Sequence, residues 1–245
     1  MRNIRKALWL LWRGHHRPLL RRLRRWLWDD TVAFGLAYDP RVTVTARIPR
    51  TPVEVRPMRS DEAAVFTALP PASTPRVEAL TRVNARHLLE SGLTTCYIGV
   101  TEEGPVYMQF LITADQNERL AEVYGGLFPP LAEDEGLLEF AFTLQQHRAR
   151  PVMPTVLLRL IEIGREQGLR RVVMYVHADS LSLIRFYLRV GFVPFAVRVE
   201  RSRLFRRRID FRPLAPDAIR GLAEPGDTDA FAESLVRLAA SKSLR

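Results

Sequence analysis

The chain has 245 residues, 47% of them hydrophobic, and a formal net charge of +10. This length and composition allow a substantial buried core and exclude a wholly disordered chain, and no apolar run is long enough to span a bilayer. The single cysteine, Cys96, excludes an intrachain disulfide and is compatible with a reducing, cytoplasmic compartment.

The positive charge is concentrated in residues 1–28, which contain nine basic side chains, no acidic one and all four tryptophans. Pro18 divides this segment into two short predicted helices. Three interpretations stay open: helices packed on a domain, helices at an anionic membrane surface, and a nucleic-acid arm. Tryptophan and arginine suit lipid headgroups, which would place the protein at the inner membrane face, whereas nucleic acid is the least favoured partner.

Residues 29–52 contain prolines and short β-prone pieces, and they predict an irregular connector. Residues 1–52 therefore form the first predicted region, a basic, Trp- and Arg-rich helical extension with its connector. The alternation in Val53–Met58 predicts the strand that opens a globular domain. A helix is expected after Ser60, and a longer one over Pro75–Ser91.

A β-hairpin is predicted from two apolar runs, Thr94–Val100 and Val106–Thr113, that flank a turn containing Gly104. Asp115–Gly136 holds two adjacent prolines and several acids, so it predicts a long loop bordering a substrate site. The strand Leu137–Gln146 follows as the centre of the fold.

After that strand come the loop HRARPVMP and a predicted helix over Thr155–Gly168. The apolar run in Arg171–Asp179 predicts a buried strand. In the next helix an apolar face includes Phe186 and Tyr187, and Gly191 ends it before another strand, Phe192–Glu200.

This order of elements, with Tyr187 one helical turn before Gly191-Phe192, resembles the GNAT family of acyl-CoA-dependent N-acetyltransferases. The family pattern here is Asn-x-x-Ala, an aliphatic residue, a tyrosine and Gly-Phe, and Ser180 and Leu183 replace its Asn and Ala. The resemblance implies an α+β fold with a central, mixed, mostly antiparallel sheet flanked by helices. It covers residues 53–213, and leaves 214–245 as a tail with a short amphipathic helix.

The resemblance also implies where acetyl-CoA or another acyl-CoA would bind. In the family, a glycine-rich loop wraps the pyrophosphate with backbone N–H groups at a helix N-terminus. Here that loop is degenerate, because Val152 and Pro154 stand at the glycine positions and prolines carry no N–H. Side chains of Arg148 and Arg150 can compensate. The expected donor-binding residues are Phe142, Thr143, Leu144, Arg148, Ala149, Arg150, Val152, Met153, Thr155, Ser180 and Leu183.

Two residues are candidates for the chemistry of acyl transfer. The family resemblance makes the Tyr187 phenol the acid that protonates the departing thiolate and makes the strand residue Glu139 the general base. Each also has a structural interpretation, Tyr187 as a core ring and Glu139 as a solvent-facing residue. The histidines lack metal-ligand spacing, so no metal is expected. Cys96 lies in an apolar strand and is interpreted as a core residue.

The function that follows is an N-acyltransferase, most simply an N-acetyltransferase, acting on a small-molecule or peptide amine. A longer acyl-CoA or an acyl-carrier protein is a second donor class, which a cluster of arginines at 201, 203 and 206–208 would assist unless it is simply solvated. The alternative is a catalytically inactive GNAT-like module, for binding or for membrane association. The oligomeric state is not determined by the sequence.

Overall fold

A computed structural model of the chain describes residues 28–41, 51–68, 75–203, 206–214 and 228–240. The predicted helices before residue 28 lie outside these ranges. The strands are β1 (Trp28–Tyr38), β2 (Glu54–Pro57), β3 (Cys96–Thr101), β4 (Gly104–Thr113), β5 (Glu135–Thr143), β6 (Arg171–His177), β7 (Val193–Arg203) and β8 (Arg206–Pro213). The α-helices are α1 (Ala63–Thr67), α2 (Arg76–Leu89), α3 (Asn117–Tyr124), α4 (Val152–Glu166), α5 (Leu181–Val190) and α6 (Thr228–Ala240).

The chain divides into two compact units, and the larger comprises residues 35–175 and 182–194. Its strands follow the order β2-β3-β4-β5-β6. Strands β2, β3, β4 and β5 are antiparallel to one another in that order, and β6 runs parallel to β5. This mixed, mostly antiparallel sheet with its helices confirms the predicted α+β class.

The core of the larger unit lies between its sheet and α4. Strand β4 is buried without interruption from Val106 to Ile112, as in a strand covered on both faces. Helix α4 packs on strands β3, β4 and β5, and its residues Val156 and Leu160, about one helical turn apart, are fully buried. Gly99 permits close packing there, since an added Cβ would stand 2.8 Å from Val156 Cγ2.

The smaller unit includes described residues 28–34, 176–181, 195–203, 206–214 and 228–240. Strands β7 and β8 form an antiparallel hairpin in which Ala196 lies opposite Pro213. Four of the five clustered arginines bind acids of the same unit: Arg203 pairs with Asp30, Arg207 with Glu200, and Arg201 and Arg208 with Asp210. In these pairs, carboxylates of the smaller unit partly balance the charge of the four arginines.

Two sequence expectations about irregular segments are wrong. Residues 28–38 form strand β1 instead of a connector, because the apolar run around Phe34 and Leu36 is fully buried. Asp115–Gly136 is a loop only in part, since it contains α3. That helix buries Leu120 and ends where Gly125 adopts a left-handed conformation. The two prolines that suggested a loop lie after the helix.

Within the described ranges, no helix combines the length and apolar character needed to cross a membrane. The same residues contain no group of three or more His, Cys, Asp or Glu side chains arranged to hold a metal ion. The amphipathic helix predicted near the C-terminus is present as α6, which buries Ala232 and Leu235.

Candidate active site

Strand β5 leaves its parallel neighbour β6 after three residue pairs, the last of which joins Leu137 to Val173. On its other edge β5 has a bulge: Glu139 lies opposite Phe110 and Phe142 opposite Met108. Phe140, inside the bulge, has a φ of 56°, in the left-handed region that non-glycine residues seldom occupy. The bulge therefore bends β5 at the place where it separates from β6.

A cavity of about 660 Å³ lies along the second half of β5. Its walls come from strand β5, from the loop before α4 with the first turn of that helix, from helix α5 and from strand β4. Tyr107 of β4 contributes a fully buried ring. The lining residues are Tyr107, Ala141, Thr143, Arg148, Ala149, Arg150, Pro151, Met153, Pro154, Leu183 and Tyr187.

Tyr187 is the only titratable cavity residue contributed by α5. The residue is 6% exposed, and its ring centroid lies 5.6 Å from that of Phe192. Burial, with a smaller contribution from the Glu139 carboxylate, raises the pKa of Tyr187 to about 12. The phenol is therefore neutral at physiological pH and retains a proton to donate.

Gly191 fixes the end of this helix. Its φ of 109° stops α5, and the N–H of Phe192 then donates to the Tyr187 carbonyl at 3.0 Å. A Cβ at Gly191 would lie 3.1 Å from the Tyr38 ring. Gly191 thus ends the helix so that the Phe192 ring packs against the rings of Tyr187 and Tyr38.

Glu139 is half-buried beside the bulge and does not line the cavity. Its charge nevertheless acts on two phenols, since it contributes to the raised pKa of both Tyr187 and Tyr124. A carboxylate can take a proton while a neutral phenol gives one.

The loop before α4 offers few backbone donors to a phosphate. In residues 148–155, Pro151 and Pro154 have no N–H, and four other amides already donate to carbonyl groups of the loop. Only the N–H groups of Ala149 and Met153 have no hydrogen-bond partner in the described structure. The anion-binding capacity expected at a helix N-terminus is therefore reduced to two donors.

Two arginines line the cavity beside those donors; Arg150 binds a carboxylate, and a second carboxylate lies near Arg148. Arg148 donates from Nε to the Thr143 carbonyl at 3.2 Å, and its Nη2 lies 3.9 Å from Oε2 of the buried Glu78. Arg150 Nη1 lies 2.6 Å from Glu103 Oε1. The Arg150 hydrogen bond keeps the pKa of Glu103 below its usual range. An incoming phosphate must therefore compete with these acids.

Residues 85–192 match the model of the acetyltransferase (GNAT) family. These residues form a GNAT domain. The bulged strand, the loop before α4 and helix α5 with Tyr187 all lie inside the matched range. The match supports acyl transfer as the general chemistry, with acyl-CoA as the family's co-substrate.

Solved structures similar to this chain include three acetyltransferases. The glucosamine N-acetyltransferase region of a fungal multi-domain β-N-acetylglucosaminidase is 14% identical, with 76% of this chain and 22% of that chain covered and a TM-score of 0.49. A GNAT acetyltransferase from Colwellia psychrerythraea is 10% identical, with 76% of this chain and 57% of that chain covered and a TM-score of 0.45. An N-acetyltransferase from Sphaerobacter thermophilus is 16% identical, with 75% of this chain and 56% of that chain covered and a TM-score of 0.43. This chain thus spans less than two thirds of each. No curated protein matches it.

The GNAT domain brings seven of the predicted site residues to the cavity: Thr143, Arg148, Ala149, Arg150, Met153, Leu183 and Tyr187. Phe142 and Leu144 do not line it, because they are buried on the other side of the alternating strand. Val152 is fully buried and its N–H donates to the Arg150 carbonyl.

Two further predicted residues have other roles. Thr155 Oγ1 bonds the Pro151 carbonyl and accepts from the Thr51 N–H, both at 3.0 Å. Ser180 belongs to the smaller unit, where its hydroxyl lies 3.3 Å from Asp179 Oδ1.

The sequence interpretation missed Tyr107, Ala141, Pro151 and Pro154 as lining residues. Alternation from Thr143 points to Ala141, so that residue had a detectable signal. Tyr107 had none, because its position depends on the register of β4 against the bulge.

Cys96 and His147 stand apart from the cavity. Burial raises the pKa of the Cys96 thiol to about 12, so it remains a protonated core residue. His147 is buried beside Glu103, with Nε2 3.8 Å from Glu103 Oε2. It supports the loop that carries Arg148 and Arg150.

Proposed function

We propose that this protein is an N-acyltransferase that moves an acyl group from a CoA thioester to a primary amine. The observation that carries the proposal is the neutral phenol of Tyr187 in the wall of a cavity beside a strand that has left its neighbour. An acetyl group is the simplest acyl group consistent with the family match over residues 85–192.

The residues present fit such a donor unequally. Thr143, Leu183 and Tyr187 suit the thioester end, which needs a narrow, partly apolar wall and a proton donor. The phosphate end depends on Arg148 and Arg150, since the backbone provides only two free donors. A guanidinium group can form two parallel hydrogen bonds to a phosphate. The arginine side chains would therefore replace the backbone N–H donors that the loop lacks.

In the reaction, the amine nitrogen bonds to the thioester carbonyl carbon and the carbon–sulfur bond breaks. Glu139 accepts the proton that the amine loses, and Tyr187 gives its proton to the departing thiolate. The products are an amide and a free thiol. Exchange with solvent then restores the proton on Tyr187 and removes the one on Glu139.

Thiol release tests this proposal. The full chain is incubated with acetyl-CoA and a panel of primary amines, and calorimetry measures acetyl-CoA affinity for the wild type and for the double variant Arg148→Ala, Arg150→Ala. We expect amine-dependent thiol release and an affinity loss of at least about tenfold in the double variant. The control replaces Arg41 and Arg159, which also pair with acids but lie away from the cavity.

Unchanged affinity in the double variant would refute the role of the two arginines. Absence of both acetyl-CoA binding and thiol release would instead favour the alternative, a catalytically inactive GNAT-like module. Pro151 and Pro154 are the specific observation behind that alternative, because they deplete the donor loop.

A further inference from the structure

The phosphate end of the cavity contains few cationic groups. Of the described residues that line the cavity, Arg148 and Arg150 alone carry a charge. Arg150 Nη1 lies 2.6 Å from Glu103 Oε1, and Arg148 Nη2 lies 3.9 Å from Glu78 Oε2. Each guanidinium group that could bind a phosphate therefore already has a carboxylate beside it.

Glu78 is the more enclosed of these two acids, with 3% of its surface exposed. Its Oε1 accepts hydrogen bonds from Nε and Nη2 of Arg82, at 3.2 and 2.9 Å. Its Oε2 is buried and has no hydrogen-bond partner within the part of the chain that the structure describes. Because this is the oxygen next to Arg148, the carboxylate attracts that guanidinium group and repels a further anion.

The charges at this end match one anion. The cluster contains the guanidinium groups of Arg82, Arg148 and Arg150 and the carboxylates of Glu78 and Glu103. Its summed formal charge is therefore +1. One ionised phosphate diester carries a single negative charge and balances it. Acetyl-CoA brings three phosphate groups, and the described lining residues offer no further cation to the other two.

The backbone provides a similar number of donors. In residues 148–155, the N–H groups of Ala149 and Met153 are the two without a hydrogen-bond partner in the described structure. Together with two guanidinium groups, they can hydrogen-bond both unesterified oxygens of one phosphate. A diphosphate has twice as many such oxygens, and Pro151 and Pro154 have no N–H to give them.

The remaining lining residues suit the arm that joins a thioester to that phosphate. They include Ala141 and Thr143, on the part of β5 that has left β6, and Leu183 and Tyr187 of α5. Backbone groups on that edge of β5 have no pairing with β6 and can bond the amides of a pantetheine chain. The cavity volume of about 660 Å³ is in the range that takes a ligand of this size.

We propose that the site recognises its donor as an acyl phosphopantetheine thioester, through the arm and one phosphate, and that the 3′-phosphoadenylyl half of CoA contributes little to binding. The inference rests on the proposed function and specifies its donor. The same arm and phosphate occur in acyl-CoA and on an acylated carrier protein, so either can supply the acyl group.

Calorimetry on the full chain with three acetyl thioesters tests this inference. The probes are acetyl-CoA, acetyl-pantetheine, and acetyl-phosphopantetheine whose phosphate is a methyl ester, so that it carries the same single charge as in CoA. We expect the phosphopantetheine probe to bind within about threefold of acetyl-CoA. Acetyl-pantetheine, which lacks the phosphate, should bind at least about tenfold more weakly than the phosphopantetheine probe.

The two arginines should account for the difference between the smaller probes. In the double variant Arg148→Ala, Arg150→Ala, we expect the phosphopantetheine probe and acetyl-pantetheine to bind equally, whereas the control Arg41→Ala, Arg159→Ala keeps the difference. Wild-type affinity for acetyl-pantetheine in the double variant shows that it is folded. Acetyl-CoA binding at least about tenfold tighter than the phosphopantetheine probe would overturn the inference. So would equal binding of the two smaller probes to the wild type, or no binding of the phosphopantetheine probe.

These measurements contain no acceptor amine, which separates the inference from the proposed function. Thiol release from acetyl-CoA together with a phosphopantetheine probe that binds about tenfold more weakly than acetyl-CoA supports the function and overturns the inference. The expected affinities without thiol release support the site and contradict the enzyme. Thiol release from an acetylated carrier protein, compared with release from acetyl-CoA at equal concentration, identifies which source supplies the donor.

Discussion

Leu137 of β5 lies opposite Val173 of β6, and this is the last residue pair that joins the two strands. Glu139 and the bulge at Phe140 follow at once on β5. The strand therefore changes direction over a few residues, and the cavity with Tyr187 lies along its continuation. The proposed chemistry depends on this local geometry, because a regular parallel pair would leave no room for a substrate.

Replacing Tyr187 with Phe tests the proton donor. The ring would keep its packing on Phe192, so folding should be preserved while the hydroxyl is lost. We expect kcat for thiol release to fall by about 10²-fold, with acetyl-CoA affinity nearly unchanged. Calorimetry and single-turnover kinetics separate the two effects. A variant with wild-type kcat would show that Tyr187 is a packing residue.

The pH dependence of the reaction rate tests the protonation state of Tyr187. With a pKa of about 12, Tyr187 stays protonated throughout the neutral and moderately alkaline range. The wild-type rate should therefore show no alkaline loss attributable to this phenol below about pH 11. A loss near pH 10 that Tyr187→Phe abolishes would contradict the raised pKa.

Glu103→Gln tests the competition for Arg150. Removing the carboxylate frees the guanidinium that now lies 2.6 Å from it. We expect acetyl-CoA affinity to rise about two- to tenfold, because a phosphate no longer competes with an acid for Arg150. Glu122→Gln is the control, since Glu122 pairs with Arg119 on α3. Equal affinities in wild type and Glu103→Gln would exclude Arg150 from donor binding.

The sequence was sufficient for elements with strong periodicity and clear stops. Helix α5, ended by Gly191, and the hairpin of β3 and β4 agree with the prediction to within about two residues. Pro154 lies in the first turn of α4, as its missing N–H requires. In each case the local chemistry that selects the structure is contained in a few neighbouring residues.

The sequence was insufficient where contacts between distant segments determine the backbone conformation or the pairing of a side chain. The left-handed Phe140 has no sequence signal, because its conformation follows from the register of β4 against β5. The sequence therefore predicts Phe142 as a lining residue, whereas Ala141 lines the cavity. Likewise, the pairing of Arg148 and Arg150 with acids depends on contacts with α2 and the turn before β4.

Gly136→Ala tests the packing that supports β5. An added Cβ would stand 2.6 Å from Leu169 Cδ1 and 3.0 Å from Leu111 Cδ1, so both side chains must move. We expect the free energy of unfolding to fall by about 1–3 kcal/mol. Urea denaturation measures it. Gly125→Asn is the control: its φ of +59° suits asparagine and an added Cβ meets no atom within 4 Å. A loss as large in the control would contradict the packing argument.

The stability of the folded state should decrease at acid pH because of Glu62. Hydrogen bonds from Arg56 lower the pKa of this carboxyl from 4.5 to about 2. Since the folded state holds the charged form, the stabilisation is complete above the unfolded value of 4.5 and is lost as the pH falls toward 2. Glu62→Gln should therefore lower the melting temperature at pH 7, and the difference should shrink below pH 4.5. Exposed Glu118→Gln should show no such trend; a constant difference across pH for Glu62→Gln would refute the linkage.

The affinity of the full chain for acetyl-CoA, measured by calorimetry in wild type and Leu183→Trp, tests the central claim most directly. Leu183 is 40% exposed in the cavity wall, so a tryptophan there can fill the cavity without disturbing the core. Val193→Trp, at a site that is 56% exposed and outside the cavity, is the matched control. The account predicts one acetyl-CoA per chain, binding weakened at least about tenfold by Leu183→Trp, and normal binding in the control. Equal affinity in all three proteins, or no binding to the wild type, would contradict it.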